Sequence, residues 1–404
     1  AYFAAAGYKL NDFTPHIYKT SNYGASWEKI VNGIPDNTFA RTIREDPDRK
    51  GLLYAGTETG VFVSFDDGKQ WQPLQNNLPE VPITDLRVKR KDLVVATQGR
   101  SLWILDDLTP LHEISKKVAD ASYYLYKPRG TYTALSIAYS VDNGMGQNPP
   151  SGVQLNYVLN KEVDQDVSMS MEILDANGNV IYSEYTNQEK TECDAFTRPQ
   201  LKRSVGDHRY QWNMKVGRFD CIKELVTTSS NLSAYDAPPG AYKVTFKVGD
   251  FEQTQDFEIN IDPRILNSFP NASEAYKERD KISASIFKGA TEMSKGVRDL
   301  RQVKQQLDFI LEVAKDAKVI SNGTDLNKNI DDWIAKILQK ELRTQQHNYQ
   351  FEARLLVKFK NFLNSIGEGN MPVTQGTIDV SRDYLAKWNG FSSELQTIKN
   401  RDIK

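Results

Sequence analysis

The chain has 404 residues, enough for two to four domains with sizeable cores, and its 39% hydrophobic and 26% charged content is ordinary for a globular protein. A formal net charge of −2 gives no electrostatic basis for holding nucleic acid or an anionic membrane. No apolar run approaches the roughly 18 residues that span a bilayer, so no membrane span is expected.

In chain order, residues 1–107 are short β-runs separated by Gly-containing turns. The chain opens at Ala1 inside such a run, with no Met and no signal peptide, which suggests a mature or truncated piece. Residues 53–71, LYAGTETGVFVSFDDGKQW, join two runs across Glu58-Thr59-Gly60, the pattern of a β-hairpin. The hairpin ends in Ser64-Phe65-Asp66-Asp67-Gly68-Lys69-Gln70-Trp71, which fits the Asp-box spacing Ser/Thr-x-Asp-x-Gly-x-x-Trp. The box has local chemistry: Asp66 accepts from nearby backbone N–H groups, Gly68 takes a positive φ, and Trp71 packs on neighbouring strands. Thr20-Ser21-Asn22-Tyr23-Gly24-Ala25-Ser26-Trp27 repeats the spacing with Asn22 in place of the Asp. Thr20, Asn22, Gly24 and Trp27 therefore stand where Ser64, Asp66, Gly68 and Trp71 do. The two Trp residues are 44 positions apart, a blade-like period. Residues 93–107 repeat the hairpin without the Gly and Trp of the box and read as the last strands of the array. Fewer than three units cannot close a propeller of at least about four blades. The remaining blades are expected from sequence upstream or from another chain.

Residues 108–125 read as a linker with one helical turn near Ile114. Over 126–264 the runs 153–159, 167–174, 180–182, 210–214, 238–246 and 251–261, with a strong turn at 175–179, suggest an Ig-like β-sandwich that ends at Asp262-Pro263-Arg264. From 270 the period becomes that of a helix. One pattern holds Ile282, Ile286, Met293, Val297, Leu300, Leu307 and Ile310, with Ser273 as its N-cap. A second holds Ile330, Ile334 and Leu338, continuing after a break to Leu355, Leu356, Phe359 and Leu363. A third holds Tyr384, Leu385, Trp388, Leu395 and Ile398. An antiparallel three-helix bundle over 270–404 is the economical reading. The expected class is multidomain β plus α: partial β-propeller blades over 1–107, the Ig-like β-sandwich, and a C-terminal antiparallel helical bundle.

Candidate chemistry is sparse. Asp66 belongs to a turn, and the adjacent Asp106 and Asp107 point to opposite faces if they lie on a strand, which disfavours joint catalysis. Arg100 is expected in a structural ion pair. His16, His112, His208 and His347 are scattered without metal-ligand spacing, and Asp175-Ala176-Asn177-Gly178-Asn179 is read as a hairpin turn ahead of a calcium loop, so no metal and no cofactor is expected. Cys193 and Cys221, the two cysteines, are expected to pair if the protein is exported, contributing about 3–4 kcal/mol by loop closure.

Residues 92–111, DLVVATQGRSLWILDDLTPL, together with Lys127-Pro128-Arg129, residues 172–178 (EILDANG), residues 238–244 (PPGAYKV) and Asp262-Pro263-Arg264, resemble the C-terminal portion of bacterial, Bacteroidetes-type BNR-repeat proteins. That group is labelled glycosyl hydrolase or sortilin-like and is similar to xyloglucanases. Gln98 stands where such proteins often have His, and Gln70 where the box usually has Ser or Thr. The resemblance implies a propeller terminus and an extracytoplasmic binding or scaffold protein with a protein or glycan partner. The alternative is a glycoside hydrolase, xyloglucanase-like or sialidase-like, whose catalytic carboxylates lie in upstream blades.

Overall fold

The computed structural model describes residues 1–133, 146, 148–149, 151–186, 201–219, 222, 233–341, 350–367 and 373–402. The chain is a mixed β and α protein with several sheets and a C-terminal helical region, divided into two compact units, Ala1–Arg129 and Gly130–Lys404.

The first unit stacks three antiparallel sheets. Strands β1 (Tyr2–Ala5), β2 (His16–Lys19) and β3 (Glu28–Lys29) form the first; β4 (Ala40–Glu45), β5 (Leu53–Thr57), β6 (Val61–Ser64) and β7 (Gln72–Pro73) the second; β8 (Ile83–Lys89), β9 (Asp92–Thr97) and β10 (Leu102–Leu105) the third. Strand alternation explains why the second sheet is apolar on both faces. Leu53, Ala55, Phe62 and Trp71 turn toward Ile17 of the first sheet and Ile30 and Ile34 of the segment that follows β3. Tyr54, Val61 and Val63 turn the other way, onto Ile83, Leu86, Leu93 and Val95 of the third. Gly56 permits this close approach: a Cβ there would meet Ile83 Cγ2 and Thr42 Cγ2, each at 2.7 Å.

Residues 108–125, expected as a linker, instead carry α1 (Thr109–Glu113), α2 (Lys116–Asp120) and β11 (Tyr123–Leu125) and belong to this unit. Leu108 is buried in the core of the second and third sheets, and Arg129 is bound to Asp92 of β9 by a two-pronged contact. Such anchors are invisible to composition.

In the second unit, β12 (Thr131–Thr133) joins a five-stranded sheet. Strand β13 (Val153–Leu159) is followed by β14 (Met169–Leu174), β15 (Val180–Tyr185), β16 (Gly206–Trp212), β17 (Lys215–Arg218), β18 (Ser233–Asp236), β19 (Gly240–Val248) and β20 (Phe251–Ile261). The five-stranded order is β12-β20-β19-β14-β15, with β12 parallel to β20. The β13–β16 pair faces this sheet through Tyr157 against Phe246, at 5.0 Å between ring centroids, and Trp212 edge-on to Phe257 at 6.1 Å. The 175–179 turn closes the β14–β15 hairpin: Asp175 Oδ1 accepts from Asn177 and Asn179 N–H, and Gly178 has φ 84°.

Helix α3 (Pro263–Ser268) follows Asp262, whose side chain caps it. Among the described residues the helical region holds four long helices where the spacing suggested three: α4 (Ala272–Val313), α5 (Ala317–Ile337), α6 (Leu355–Gly367) and α7 (Gln375–Thr397). The second periodic pattern falls on two helices, α5 ending at Ile337 and α6 beginning at Leu355. Helix α4 begins at Ala272 with Asn271 at its N-cap position, two residues ahead of the expected Ser273 cap. Asp316 caps α5 and Thr374 caps α7. Sheet and helices share one core here. Phe219 beside β17 packs edge-on to Phe287 of α4 at 5.4 Å, and Tyr235 of β18 packs on the same ring at 5.8 Å. This joint core explains why 130–404 forms one unit instead of a separate sandwich and bundle. Among the described residues no helix is long and apolar enough to cross a membrane.

Candidate functional site

The two boxes have the same hydrogen-bond plan. In the second, Ser64 Oγ donates to Asp66 Oδ1 at 2.8 Å, Gly68 N–H donates to Ser64 Oγ at 2.9 Å, and Gln70 N–H donates to Asp66 Oδ1 at 3.0 Å. In the first, Thr20 Oγ1 donates to Asn22 Oδ1, Gly24 N–H to Thr20 Oγ1, and Ser26 N–H to Asn22 Oδ1, each at 2.9 Å. The fourth and fifth positions are left-handed in both: Tyr23 at 59° and Gly24 at 91°, Asp67 at 66° and Gly68 at 86°. Asn22 can replace Asp66 because the turn needs a carbonyl-type acceptor and no negative charge.

Beyond this plan the boxes diverge. Trp71 is 2% exposed, and its Nε1–H donates to the Ile30 carbonyl in the segment that follows β3 at 2.8 Å. Its backbone N–H donates to the Asn32 carbonyl, and Asn32 Nδ2 donates to Gln70 Oε1 at 2.7 Å. Gln70 thus reaches the segment that follows the first sheet through its side chain. Asp67, beside the capping Asp66, accepts from Tyr2 Oη and is ion-paired with Lys19, so it also joins the second sheet to the first. Burial works against the Asp67 carboxylate, but the hydrogen bonds and charges of Lys19, Tyr2 and Lys50 prevail and hold its pKa below the ordinary value.

Trp27 is 44% exposed, contrary to the expectation that both box Trp rings pack on neighbouring strands. It stands edge-on to Phe3 at 4.7 Å, and Phe3 stacks on Tyr18 at 5.1 Å. The strand registers match the two sheets residue by residue. Phe3 pairs with Tyr18 as Ala55 pairs with Phe62, and Tyr18 with Lys29 as Phe62 with Pro73. The positions that face the first sheet from the second are, in the first sheet itself, the open aromatic face Phe3–Tyr18–Trp27. A second aromatic group lies nearby: Tyr8 stacks on Phe39 at 5.1 Å, and the Arg41 guanidinium lies 5.1 Å from the centre of the Phe39 ring.

The third sheet has no box, and an apolar groove opens between Leu74, Leu78 and Val61 on one side and Leu93, Val95 and Trp103 on the other. Of the two carboxylates that follow β10, Asp107 is structural. Asp107 accepts from the N–H and hydroxyl of Thr109 at the start of α1, and its own N–H donates to Asp92. Arg100, expected in an ion pair, donates to the Gly99 carbonyl and makes none among the described residues.

A cluster that the sequence did not announce surrounds the buried Asp46. Oδ1 accepts from Asp48 and Arg49 N–H; Oδ2 accepts from Tyr54 Oη at 2.9 Å and contacts His112 Nε2 at 2.9 Å. Ligand-type atoms of Asp46, Asp48 and His112 lie within 4.8 Å of one another, but both Asp46 oxygens are engaged by protein donors. The group ties α1 to the second sheet. Asp46 and His112 are 66 positions apart, so no spacing motif could reveal it. Cys193 and Cys221 lie outside the described residues.

The chain matches no protein-family model and no curated protein. Among solved structures it has a weak likeness, at 10% identity and a TM-score of 0.19, to the extracellular domain of a hybrid two-component system from B. thetaiotaomicron. The match covers 61% of this chain and 28% of that one.

Proposed function

We propose that this chain is an extracytoplasmic binding or scaffold protein of the BNR-repeat kind. In this reading residues 1–107 are the terminal blades of an Asp-box β-propeller, carried with an Ig-like sandwich and a helical bundle, and the whole presents surfaces to a protein or glycan partner. One observation carries the proposal: the second sheet is seated on the first by Trp71, Gln70 and Asp67, while the matching face of the first sheet, Phe3–Tyr18–Trp27, is open. The same architecture thus appears once occupied and once waiting for a further sheet, as successive blades require. Of the candidate carboxylates Asp66, Asp67, Asp106 and Asp107, Asp66 and Asp107 are engaged in turns and Asp67 in an ion pair with Lys19, which favours a surface role over hydrolysis.

The test is binding and hydrolysis measured side by side on xyloglucan and sialylated oligosaccharides. Retention of a glycan with no release of reducing ends, unchanged in D66N and D107N proteins that remain folded, supports the scaffold reading. Reducing-end release that either substitution abolishes overturns it.

A further inference from the structure

The seat of Trp71 is built twice in this chain, and its second copy holds no box ring. In the first copy Trp71 lies among Ile17, Ile30 and Ile34 on one side and Leu53, Ala55 and Phe62 on the other. Its Nε1–H donates to the Ile30 carbonyl and its backbone N–H to the Asn32 carbonyl, both at 2.8 Å. Val61, Leu74, Asn76 and Leu78 stand 44 positions after Ile17, Ile30, Asn32 and Ile34. Leu74 N–H donates to the Val61 carbonyl as Ile30 N–H does to that of Ile17. Across the joint the third sheet repeats the register of the second: Val95 pairs with Trp103 as Ala55 with Phe62, and Val94 with Ile104 as Tyr54 with Val63. These residues wall the apolar groove, which encloses about 380 Å³, part of it open to solvent. No third box Trp enters it, because the chain leaves β10 for α1 at Thr109.

The strand that follows Trp71 has no counterpart here either. Gln72 and Pro73 form β7, which pairs with Val63 and Phe62 and covers the edge of β6. Strand β10, the counterpart of β6, is the edge of its sheet. The Ser101 carbonyl turns inward to Thr97 N–H, so alternation turns the backbone groups of Leu102 and Ile104 outward. Those two residues are 71% and 58% exposed. An aromatic seat thus lies beside an unpaired strand edge, the arrangement that Trp71-Gln72-Pro73 fills one repeat earlier.

We propose that this groove and edge bind an extended segment of a partner protein, anchored by an aromatic side chain in the groove and paired with β10 through the residues that follow it. This is strand addition with one apolar anchor. The occupied copy names the occupant. The anchor's backbone N–H would meet the Asn76 carbonyl and an indole N–H the Leu74 carbonyl, and among the described residues neither accepts from a backbone N–H. Val95 and Trp103 are larger than Ala55 and Phe62, which narrows the seat, so a Phe ring should enter as readily as an indole. The groove continues the closed joint of the second and third sheets, so the ring would be buried against an existing core. The inference gives the scaffold role proposed above its protein partner and rests on that reading for its setting.

Fluorescence anisotropy of a labelled peptide of residues 68–75, GKQWQPLQ, titrated with the full 404-residue chain tests this. Saturable binding is expected. The Trp71→Phe peptide should bind within about threefold, and the Trp71→Ala peptide should lose about thirtyfold or more. A peptide N-methylated at the residue after the Trp cannot donate to the Ile104 carbonyl and should lose about tenfold. On the protein, Ile104→Pro removes the outward N–H of an edge strand, where Pro is tolerated, and should weaken binding similarly with the melting curve unchanged. Absence of binding by both aromatic peptides overturns the proposal, as does binding indifferent to the ring or to N-methylation. A chain that dimerises and thereby excludes the peptide assigns the groove to a second copy and overturns it too. None of these outcomes bears on the glycan assays, so a failure here is distinct from a failure of the scaffold reading.

Discussion

Trp27 and Trp71 occupy one position in two copies of one motif, and their surroundings assign them opposite energetic weight. Trp71 is enclosed by Ile17, Ile30 and Phe62 and bonded to the Ile30 carbonyl. Trp71→Ala should therefore cost about 3–5 kcal/mol, the range for emptying a buried aromatic site. Trp27→Ala removes a half-open ring and should cost about 1 kcal/mol or less. Urea unfolding of the two variants beside the parent chain measures the difference. Equal losses would mean that Trp27 is covered in solution, and the open face would have to be given up. The sequence shows the motif at both places but not this asymmetry, because burial depends on which sheet lies opposite. Asn22 and Asp66 were legible as turn formers, since their partners are local; the role of Asp67 was not, since Lys19 is 48 positions away.

At the level of the element, strands and hairpins were the most readable part of the chain. Alternation and Gly or Asn turns gave 153–159 and 251–261 as they stand in β13 and β20. Helix existence was equally plain, but helix number was not. A periodic face continues across a break, so α5 and α6 shared one pattern though they are separate rods. Helix α6 also hides a feature that the pattern passes over: Lys360 is buried, and burial lowers its pKa from 10.5 to about 8. Between about 8 and 10.5 the unfolded chain then binds more protons than the folded one, so stability should rise with pH across that window. Below about 8 the cost of burying the ammonium is present in full. Lys360→Met should flatten the rise. Denaturant melts of both proteins at pH 7.5, 9 and 10 compare their slopes, and the difference between them removes the tyrosines' own contribution, which both share. Parallel slopes would show that Lys360 keeps an ordinary pKa in the fold.

For the whole molecule, the division at Arg129 and Gly130 makes a sharper prediction than one drawn at the last strand of the third sheet. Sequence periodicity places an end at 107, where the β-pattern stops. The fold places it 22 residues later, because Leu108 completes the core of the second and third sheets, His112 meets the buried Asp46, Lys127 N–H donates to Glu113, and Arg129 pairs with Asp92. Removing 108–129 opens an apolar core and strands Asp46, whose carboxylate is fully desolvated, with one partner fewer. Three fragments separate the two boundaries. Residues 130–404 should melt as one cooperative transition by circular dichroism, since their sheets and helices share the core built around Phe287. Residues 1–129 should also fold, and self-associate through the open Phe3–Tyr18–Trp27 face in size-exclusion chromatography. Residues 1–107 should aggregate or stay unfolded. If 1–107 folds as cooperatively and as stably as 1–129, the 108–129 segment contributes nothing to the sheets, and the contacts of His112 and Arg129 are ornaments of the surface. If 130–404 instead shows two separated transitions, the shared core fails, and the sheets and helices of that unit are independent bodies.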